Sequence, residues 1–256
     1  MRIALIQMDI AWEHVAENHR RAGALLESAA RGGARLAALP EMFSTGFSMA
    51  PERIAQPEGG ESETFLRERA RALDLWILAS VPQRGGVRPR NVALLVGPEG
   101  SVARYAKIHP FSFAGEDRHY AAGDRVVTVE VEGVRVTPFV CYDLRFPEPF
   151  RVAARDTDLF VVVANWPDKR REHWRTLLRA RAIENQAYVA GINRAGEGDG
   201  LSYAGDSAAI DPLGETLAEA DREQTILFAE VDPARVADLR ARFPALEDIR
   251  PAAYRR

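Results

Sequence analysis

The stretch Val134-Arg-Val-Thr-Pro-Phe-Val-Cys141-Tyr-Asp-Leu-Arg-Phe-Pro-Glu148 decides how the whole chain is read. Residues 134–140 are an apolar, β-rich run of strand length. The chain then turns sharply through Tyr142–Glu148 and enters a helix predicted near 145–155. A buried strand that passes directly into a helix is a building unit of α/β folds. Cys141 sits at the turn. A cysteine at a strand end facing a helix N-terminus lies where backbone N–H groups and the helix dipole favour a thiolate. The same N–H groups suit a developing oxyanion. The competing reading is a buried structural cysteine, the commoner fate of a lone thiol.

The flanking sequence repeats the same grammar. Residues 2–8 read as a buried strand. Residues 13–31 read as a helix carrying Val15, His19, Ala22, Leu26 and Ala29 at helical spacing, ended by Gly32-Gly33. A short strand over 35–39 stops at Pro40. A helix near 61–73 and strands at 75–81, 91–96 and 101–106 follow. Residues 107–125 have no clean period, and an irregular run of that length inside a compact domain points to a functional loop. Strands at 126–131 and 134–140 flank a Glu132-Gly133 turn. Beyond the cysteine come a strand at 158–164, a long helix at 171–187, and short strands at 188–193, 203–210, 215–219 and 225–231. A last helix, 233–242, precedes an Arg/Pro-rich tail over about 243–256. Helices alternating with strands, and paired strands in the middle and at the end, predict an α/β fold with a mixed sheet or two sheets. No repeat, linker or low-complexity block interrupts 1–256, so one domain is expected.

Composition narrows the function. The chain has 256 residues, 46% hydrophobic and 28% charged, which is ordinary globular usage. Its 34 basic and 37 acidic residues leave a net charge of -3, which argues against a nucleic-acid binder with a strongly basic face. A single cysteine forbids an intrachain disulfide and suits a reducing compartment. The first ten residues lack the long apolar core of a secretory signal, and no apolar run approaches a membrane span. The expectation is a cytoplasmic protein with no membrane and no nucleic-acid partner. Lys107 and Lys169 are the only lysines among the 34 basic residues. Arginine cannot replace lysine where a compact ammonium must fit a narrow site, so each lysine is a candidate.

Two further strand ends deliver chemistry. Glu41 follows Leu36-Ala-Ala-Leu39-Pro40, where a carboxylate partly removed from water can serve as base and then acid. Lys107 directly follows the strand at 101–106. Active sites of α/β sheets assemble at strand ends. Each residue alone also has a bland reading, Glu41 as a solvated loop acid above all. Histidine bases remain open: His14 and His19 lie on the first helix, His109 and His119 in the irregular loop, and His173 near the start of the long helix. A metal-hydrolase alternative would draw on His109, Asp117, His119 and Asp124, but no His-Glu-x-x-His pattern is present. Gly196-Glu-Gly-Asp-Gly200 reads as a flexible loop without phosphate-cradle spacing.

Leu39-Pro-Glu41-Met-Phe, Arg104-Tyr-Ala-Lys107-Ile-His and Phe139-Val-Cys141-Tyr-Asp-Leu-Arg-Phe-Pro-Glu148 resemble, in order and spacing, the three signatures of the nitrilase superfamily of carbon–nitrogen hydrolases. The similarity runs from residue 1 to about 250. It implies a four-layer αββα sandwich of two mixed β-sheets flanked by helices. It also implies a Glu41–Lys107–Cys141 triad, with Glu116 in Ala114-Gly-Glu-Asp-Arg-His as a fourth catalytic residue. On physical grounds alone Glu116 is a surface loop acid.

Ala164-Asn165-Trp166-Pro167, His173-Trp174, Leu178–Tyr188 and Gly205-Asp206-Ser207 with Ile210–Gly214 resemble the omega-amidase branch. That branch hydrolyses the terminal amide of 2-oxoglutaramate and 2-oxosuccinamate, with no metal or organic cofactor. Other reactions of the superfamily stay open: aliphatic amide, N-carbamoyl amino acid or nitrile hydrolysis. So does a non-catalytic binding protein that keeps the fold. The Tyr142 N–H joins Lys107 as an expected oxyanion donor. Arg145, Asn165, Trp166 and Phe113 are candidates for the substrate wall. Arg145 would pair with a substrate carboxylate or hold the turn through a salt bridge. Arg181, Glu184 and Asn185 form an expected structural network. The resemblance further implies a homodimer built by the helix after the cysteine and the long helix.

Overall fold

The computed structural model describes residues 1–254. In β1 (Arg2–Gln7), Ile3 and Leu5 pack into one core while Ala4 and Ile6 pack into another. A strand buried on both faces reads as a continuous apolar run rather than an alternating one. β1 belongs to a six-stranded sheet with β2 (Leu36–Ala38), β3 (Trp76–Gln83), β4 (Arg90–Val96), β5 (Val102–Ala106) and β14 (Thr225–Glu230), in the order β14-β1-β2-β3-β4-β5. The second sheet contains β6 (Val129–Val131), β7 (Val134–Val140), β8 (Leu159–Ala164), β9 (Tyr188–Asn193), β12 (Ala208–Ile210) and β13 (Thr216–Glu219), in the order β13-β12-β9-β8-β7-β6.

The sheets face each other. Ile3, Leu5, Leu78, Ala93 and Leu95 of the first share a core with Val136, Phe139, Val161 and Val163 of the second. Outside the first sheet lie α1 (Val15–Arg31) and α3 (Glu61–Leu73), which bury Ala22, Leu26, Ala29, Leu66 and Ala70 against it. Outside the second lie α5 (Pro147–Ala153) and α6 (Arg171–Asn185), with Phe150, Trp174, Leu178 and Ala182 buried. The order of layers is therefore α, β, β, α, as the resemblance implies. Each fully buried Leu, Ile, Val or Phe contributes about 1.5–3 kcal/mol, so the two cores dominate stability. α2 (Pro51–Ile54), α4 (Glu116–His119) and α7 (Pro233–Arg242) complete the helices. Among the described residues no helix is long and apolar enough to cross a membrane.

The two sheets repeat one pattern that the sequence does not display. From β14 to β5 the successive pairings run antiparallel, parallel, parallel, antiparallel, antiparallel. From β6 to β13 they run the same way. Glu41 lies just past β2, Lys107 at the end of β5, Cys141 at the end of β7 and Asn165 at the end of β8. Packing the sheets face to face brings these ends together.

Some boundaries differ from expectation. The strand expected over 203–210 is two strands, because Gly205 and Asp206 adopt φ of 69° and 53° and break the run. A Cβ at Gly205 would lie 2.2 Å from Gln7 Nε2, so only glycine fits there. Residues 196–200, expected to be a flexible loop, are part of a hairpin of β10 (Ala195–Gly198) and β11 (Leu201–Ala204). Its two turn residues, Asp199 and Gly200, have φ of 47° and 71°, the positive values a tight hairpin turn requires. The strand expected over 126–131 forms only at Val129–Val131. The helix expected over 145–155 is α5 flanked by 3-10 turns at Cys141–Arg145 and Ala154–Asp156.

Candidate active site

Lys107 is buried, and its ammonium is enclosed by two carboxylates. Nζ donates to Glu41 Oε1 at 2.9 Å and to Glu116 Oε1 and Oε2 at 3.1 and 2.8 Å. The Phe47 ring lies 5.0 Å from Nζ. Burial pulls the lysine pKa down, but the charges of Glu116 and Glu41 outweigh it and hold the ammonium above its ordinary value. Glu116 is fully buried, against its physical reading as a surface acid. Gly115, at φ 79°, turns the chain inward, and the Phe111 N–H binds the Glu116 carboxylate. Burial raises the Glu116 pKa and Lys107 opposes that rise.

Glu41 is held on every side. Asn91 Nδ2 donates to Oε1 at 2.8 Å, and the Asn165 N–H donates to Oε2 at 2.9 Å. Asn165 Nδ2 also donates to the Glu41 carbonyl at 2.5 Å. Asn165, expected on the substrate wall, thus orients the glutamate as well. Asn91 was not singled out from sequence, where it is only a polar residue opening a strand. Its carbonyl also accepts the Lys107 N–H at 2.9 Å.

Cys141 follows an extended Val140 and takes φ 46°. Left-handed backbone at a residue with a Cβ costs about 1–2 kcal/mol, and such strain concentrates at functional corners. The corner projects the sulfur beside Glu41 and 3.9 Å from the Asn165 carbonyl. Burial first, then the charge of Glu41, pushes the thiol well above its ordinary pKa, although Lys107 pulls the other way. The turn after Cys141 is a short 3-10 segment rather than the expected helix N-terminus, and burial followed by the Glu41 charge works against a thiolate there.

The sulfur opens onto a cavity of about 150 Å³, lined by Phe47, Phe111, Tyr142, Arg145, Trp166 and Arg170 among others. This is small beside the roughly 300–1,000 Å³ of drug-sized sites, so it suits a compact substrate. A wider groove of about 500 Å³ between α6 and β12–β13 holds none of these groups. Arg145 stacks over Trp166 at 4.8 Å and contacts His173 Nδ1 at 3.1 Å. Arg170 stacks over Phe111 at 5.3 Å. Among the described residues, neither guanidinium has a carboxylate within 4.0 Å, so the expected alternative of a structural salt bridge at Arg145 is absent. Burial and the nearby Arg170 charge lower the Arg145 pKa.

Trp166 packs against Trp174 and donates its ring N–H to the Arg170 carbonyl. Phe113 is a correction: its side chain is 85% exposed and outside the cavity lining, whereas Phe111, two residues earlier, faces in. The irregular loop gives no period from which to choose between them. The histidine and metal alternatives find no shared site. His19 stacks on Phe65 and packs beside Phe43, and His109 is bonded to Asp143. Among the described residues no three His, Cys, Asp or Glu side chains converge as a metal-binding group.

The carbon-nitrogen hydrolase family profile matches residues 2–241. Omega-amidase YafV of Yersinia enterocolitica is 44% identical over 97% of this chain and 96% of its own. The 2-oxoglutaramate amidase of Bacillus subtilis is 34% identical over 98% of each. The CN-hydrolase superfamily protein XC1258 of Xanthomonas campestris, solved with an arsenic adduct in its active site, superposes with a TM-score of 0.93 at 41% identity, covering 98% of this chain and 97% of that one. The chain therefore belongs to the carbon–nitrogen hydrolases of the nitrilase superfamily, enzymes that cleave carbon–nitrogen bonds other than peptide bonds.

Proposed function

We propose that this enzyme hydrolyses the terminal amide of a small omega-amido 2-oxo acid, 2-oxoglutaramate or 2-oxosuccinamate, to the dicarboxylic 2-oxo acid and ammonia. The observation that carries the reading is the pair Arg145 and Arg170, which reach the cavity of Cys141 with no carboxylate within 4.0 Å among the described residues. A carboxylate at the far end of the substrate would satisfy them through charge-assisted hydrogen bonds. The small cavity and the relatives' names support the same substrate class.

Glu41 takes the Cys141 proton as the sulfur attacks the amide carbon. The oxyanion forms beside the Lys107 ammonium and the Tyr142 N–H. Glu41 then passes its proton to the amide nitrogen, the C–N bond breaks, and ammonia leaves behind a thioester. Water gives a proton to Glu41 and attacks the thioester carbon. The C–S bond breaks and the sulfur recovers the proton. Glu116 holds Lys107 and positions the water. Proton transfer to Glu41 as the sulfur attacks fits the site, because burial and the Glu41 charge both disfavour a free thiolate beside the two glutamates. The small-molecule amide and a homodimer belong to this reading. Val152 on α5 and Ile183 on α6, 76% and 50% exposed, are apolar side chains such a dimer would cover.

Ammonia release from 2-oxoglutaramate, with Cys141→Ala beside the wild type, tests the proposal. Release by the wild type alone is expected. Release by both proteins refutes the cysteine mechanism. Release by neither refutes the substrate, and a panel of nitriles, carbamoyl amino acids and simple amides then decides the reaction.

A further inference from the structure

Lys107 and Cys141 are carried by different sheets, and one buried carboxylate joins the two mounts. Asp143 is fully buried two residues past Cys141. Its Oδ2 accepts the Tyr105 hydroxyl at 2.8 Å and the Val140 N–H at 3.1 Å. Its Oδ1 accepts the His109 N–H at 2.9 Å and lies 2.8 Å from His109 Nδ1. Tyr105 and His109 stand two residues on either side of Lys107, and Val140 directly precedes Cys141. The Tyr105 ring meets Phe139 edge-on at 5.5 Å, and His109 stacks on Phe146 at 3.9 Å, so both partners are held in place. Burial and the Asp143 charge raise the Tyr105 pKa well above its ordinary value, which keeps the hydroxyl a donor.

We propose that Asp143 is a positioning residue that sets the separation of the Lys107 ammonium and the Cys141 sulfur across the two sheets. It rests on the reading of Cys141 as nucleophile and Lys107 as the oxyanion's partner. Asp143 acts through Val140 on one side and through Tyr105 and His109 on the other, and touches neither reacting group. Its chemistry suits the task, because four polar contacts converge on two oxygens. Asparagine offers one oxygen, and its amide hydrogens would face donors already there.

The test compares Asp143→Asn with the double variant Tyr105→Phe/His109→Phe. The double variant removes both side-chain partners on the Lys107 side while keeping an aromatic ring at each position and the backbone bonds from Val140 and residue 109. Three quantities are measured: kcat and KM for an amide the wild type hydrolyses, the melting temperature, and the rate of Cys141 alkylation by iodoacetamide. For folded Asp143→Asn, kcat is expected to fall about 100-fold, the effect of a misplacement of about 1 Å. In the double variant it should fall about tenfold. KM should stay within about twofold in both. Alkylation in the double variant should stay within about threefold of wild type, because the sulfur and Glu41 keep their own supports.

A folded Asp143→Asn or double variant with kcat within about twofold of wild type overturns the proposal. So does a double variant whose kcat and alkylation rate fall together, the mark of a merely structural role. If Asp143→Asn does not fold, the double variant decides by the same criteria. Cys141→Ala and Lys107→Met are run alongside. Wild-type turnover by either refutes the underlying reading of the site, an outcome distinct from failure of the Asp143 role.

Discussion

Replacing Arg145 or Arg170 with glutamine removes one of the two unpaired charges at the cavity while leaving the Glu41–Lys107–Cys141 cluster alone. The size of the loss follows from where they sit. A carboxylate about 4 Å from a guanidinium gains about 4 kcal/mol at an effective dielectric of about 20. Both arginines are half-buried and the cavity is open to water, so the full Coulomb figure does not apply. The net value of a hydrogen bond to a charged group, about 1.5–3 kcal/mol, is the better guide. Each substitution should therefore lower kcat/KM for 2-oxoglutaramate by about 10- to 100-fold, mostly through KM.

The control is a substrate of similar length without the charge. Butyramide offers nothing for a guanidinium to pair with, so the same variants should change its kcat/KM less than about threefold. Arg145→Lys keeps the charge and loses the planar stack on Trp166, so it should restore part of the lost activity. The assay is ammonia release over a concentration series of each amide. Equal losses on the charged and neutral substrates would refute the reasoning, because they would mean that the arginines hold the cavity wall and do not read the carboxylate.

Two other perturbations separate the roles of the buried charges. In Glu41→Gln the carboxylate that raises the Cys141 pKa is gone while Lys107 remains, so the thiol pKa should drop. Iodoacetamide should then react with Cys141 at lower pH than in wild type, while amide turnover falls by at least about 100-fold for want of a proton carrier; an alkylation profile shifted to higher pH contradicts this. Lys107→Met leaves Glu41 and Glu116 buried without their shared cation, at a cost of about 3–5 kcal/mol and about 10 °C in melting temperature. The sign with pH follows from Glu116, whose folded pKa is already raised and loses the opposing pull of Lys107. Its protonated form then favours the fold, so stability is greatest below the unfolded glutamate value and is lost as pH rises through the folded one. The melting-temperature gap from wild type should narrow between pH 8 and pH 5, and a constant gap would count against the buried-charge argument.

What the sequence revealed of the site depended on local context. Glu41, Lys107 and Cys141 each end an apolar strand, and strand ends are legible. Glu116 was legible only through the family resemblance, because its burial comes from Gly115 and from Lys107, which the loop alone does not reveal. Asn91 is the second residue of β4, and nothing local marks it as the partner of a glutamate that lies past another strand. Arg170 disappears among abundant arginines, and only its missing acid partner in three dimensions makes it informative. The split of 203–210 turns on Gly205 packing against Gln7, a contact between residues about 200 apart in sequence. The matching order of the two sheets is likewise invisible, since it is a property of pairing directions and not of residue types.

The two kinds of cation are divided by geometry. Lys107 serves three carboxylate contacts within 3.1 Å from a single nitrogen, in a space closed by Phe47. A guanidinium, planar and larger, would have to push one glutamate away to enter. At the cavity the demand is reversed. A flat cation lies against Trp166 or Phe111 and keeps N–H groups in plane for a carboxylate, where an ammonium would lose the stack. In a chain that otherwise uses arginine almost throughout, Lys169 is exposed and Lys107 is buried between two acids. The retained buried lysine therefore marks where compactness is required. The same compactness lets one ammonium reach both glutamates at once.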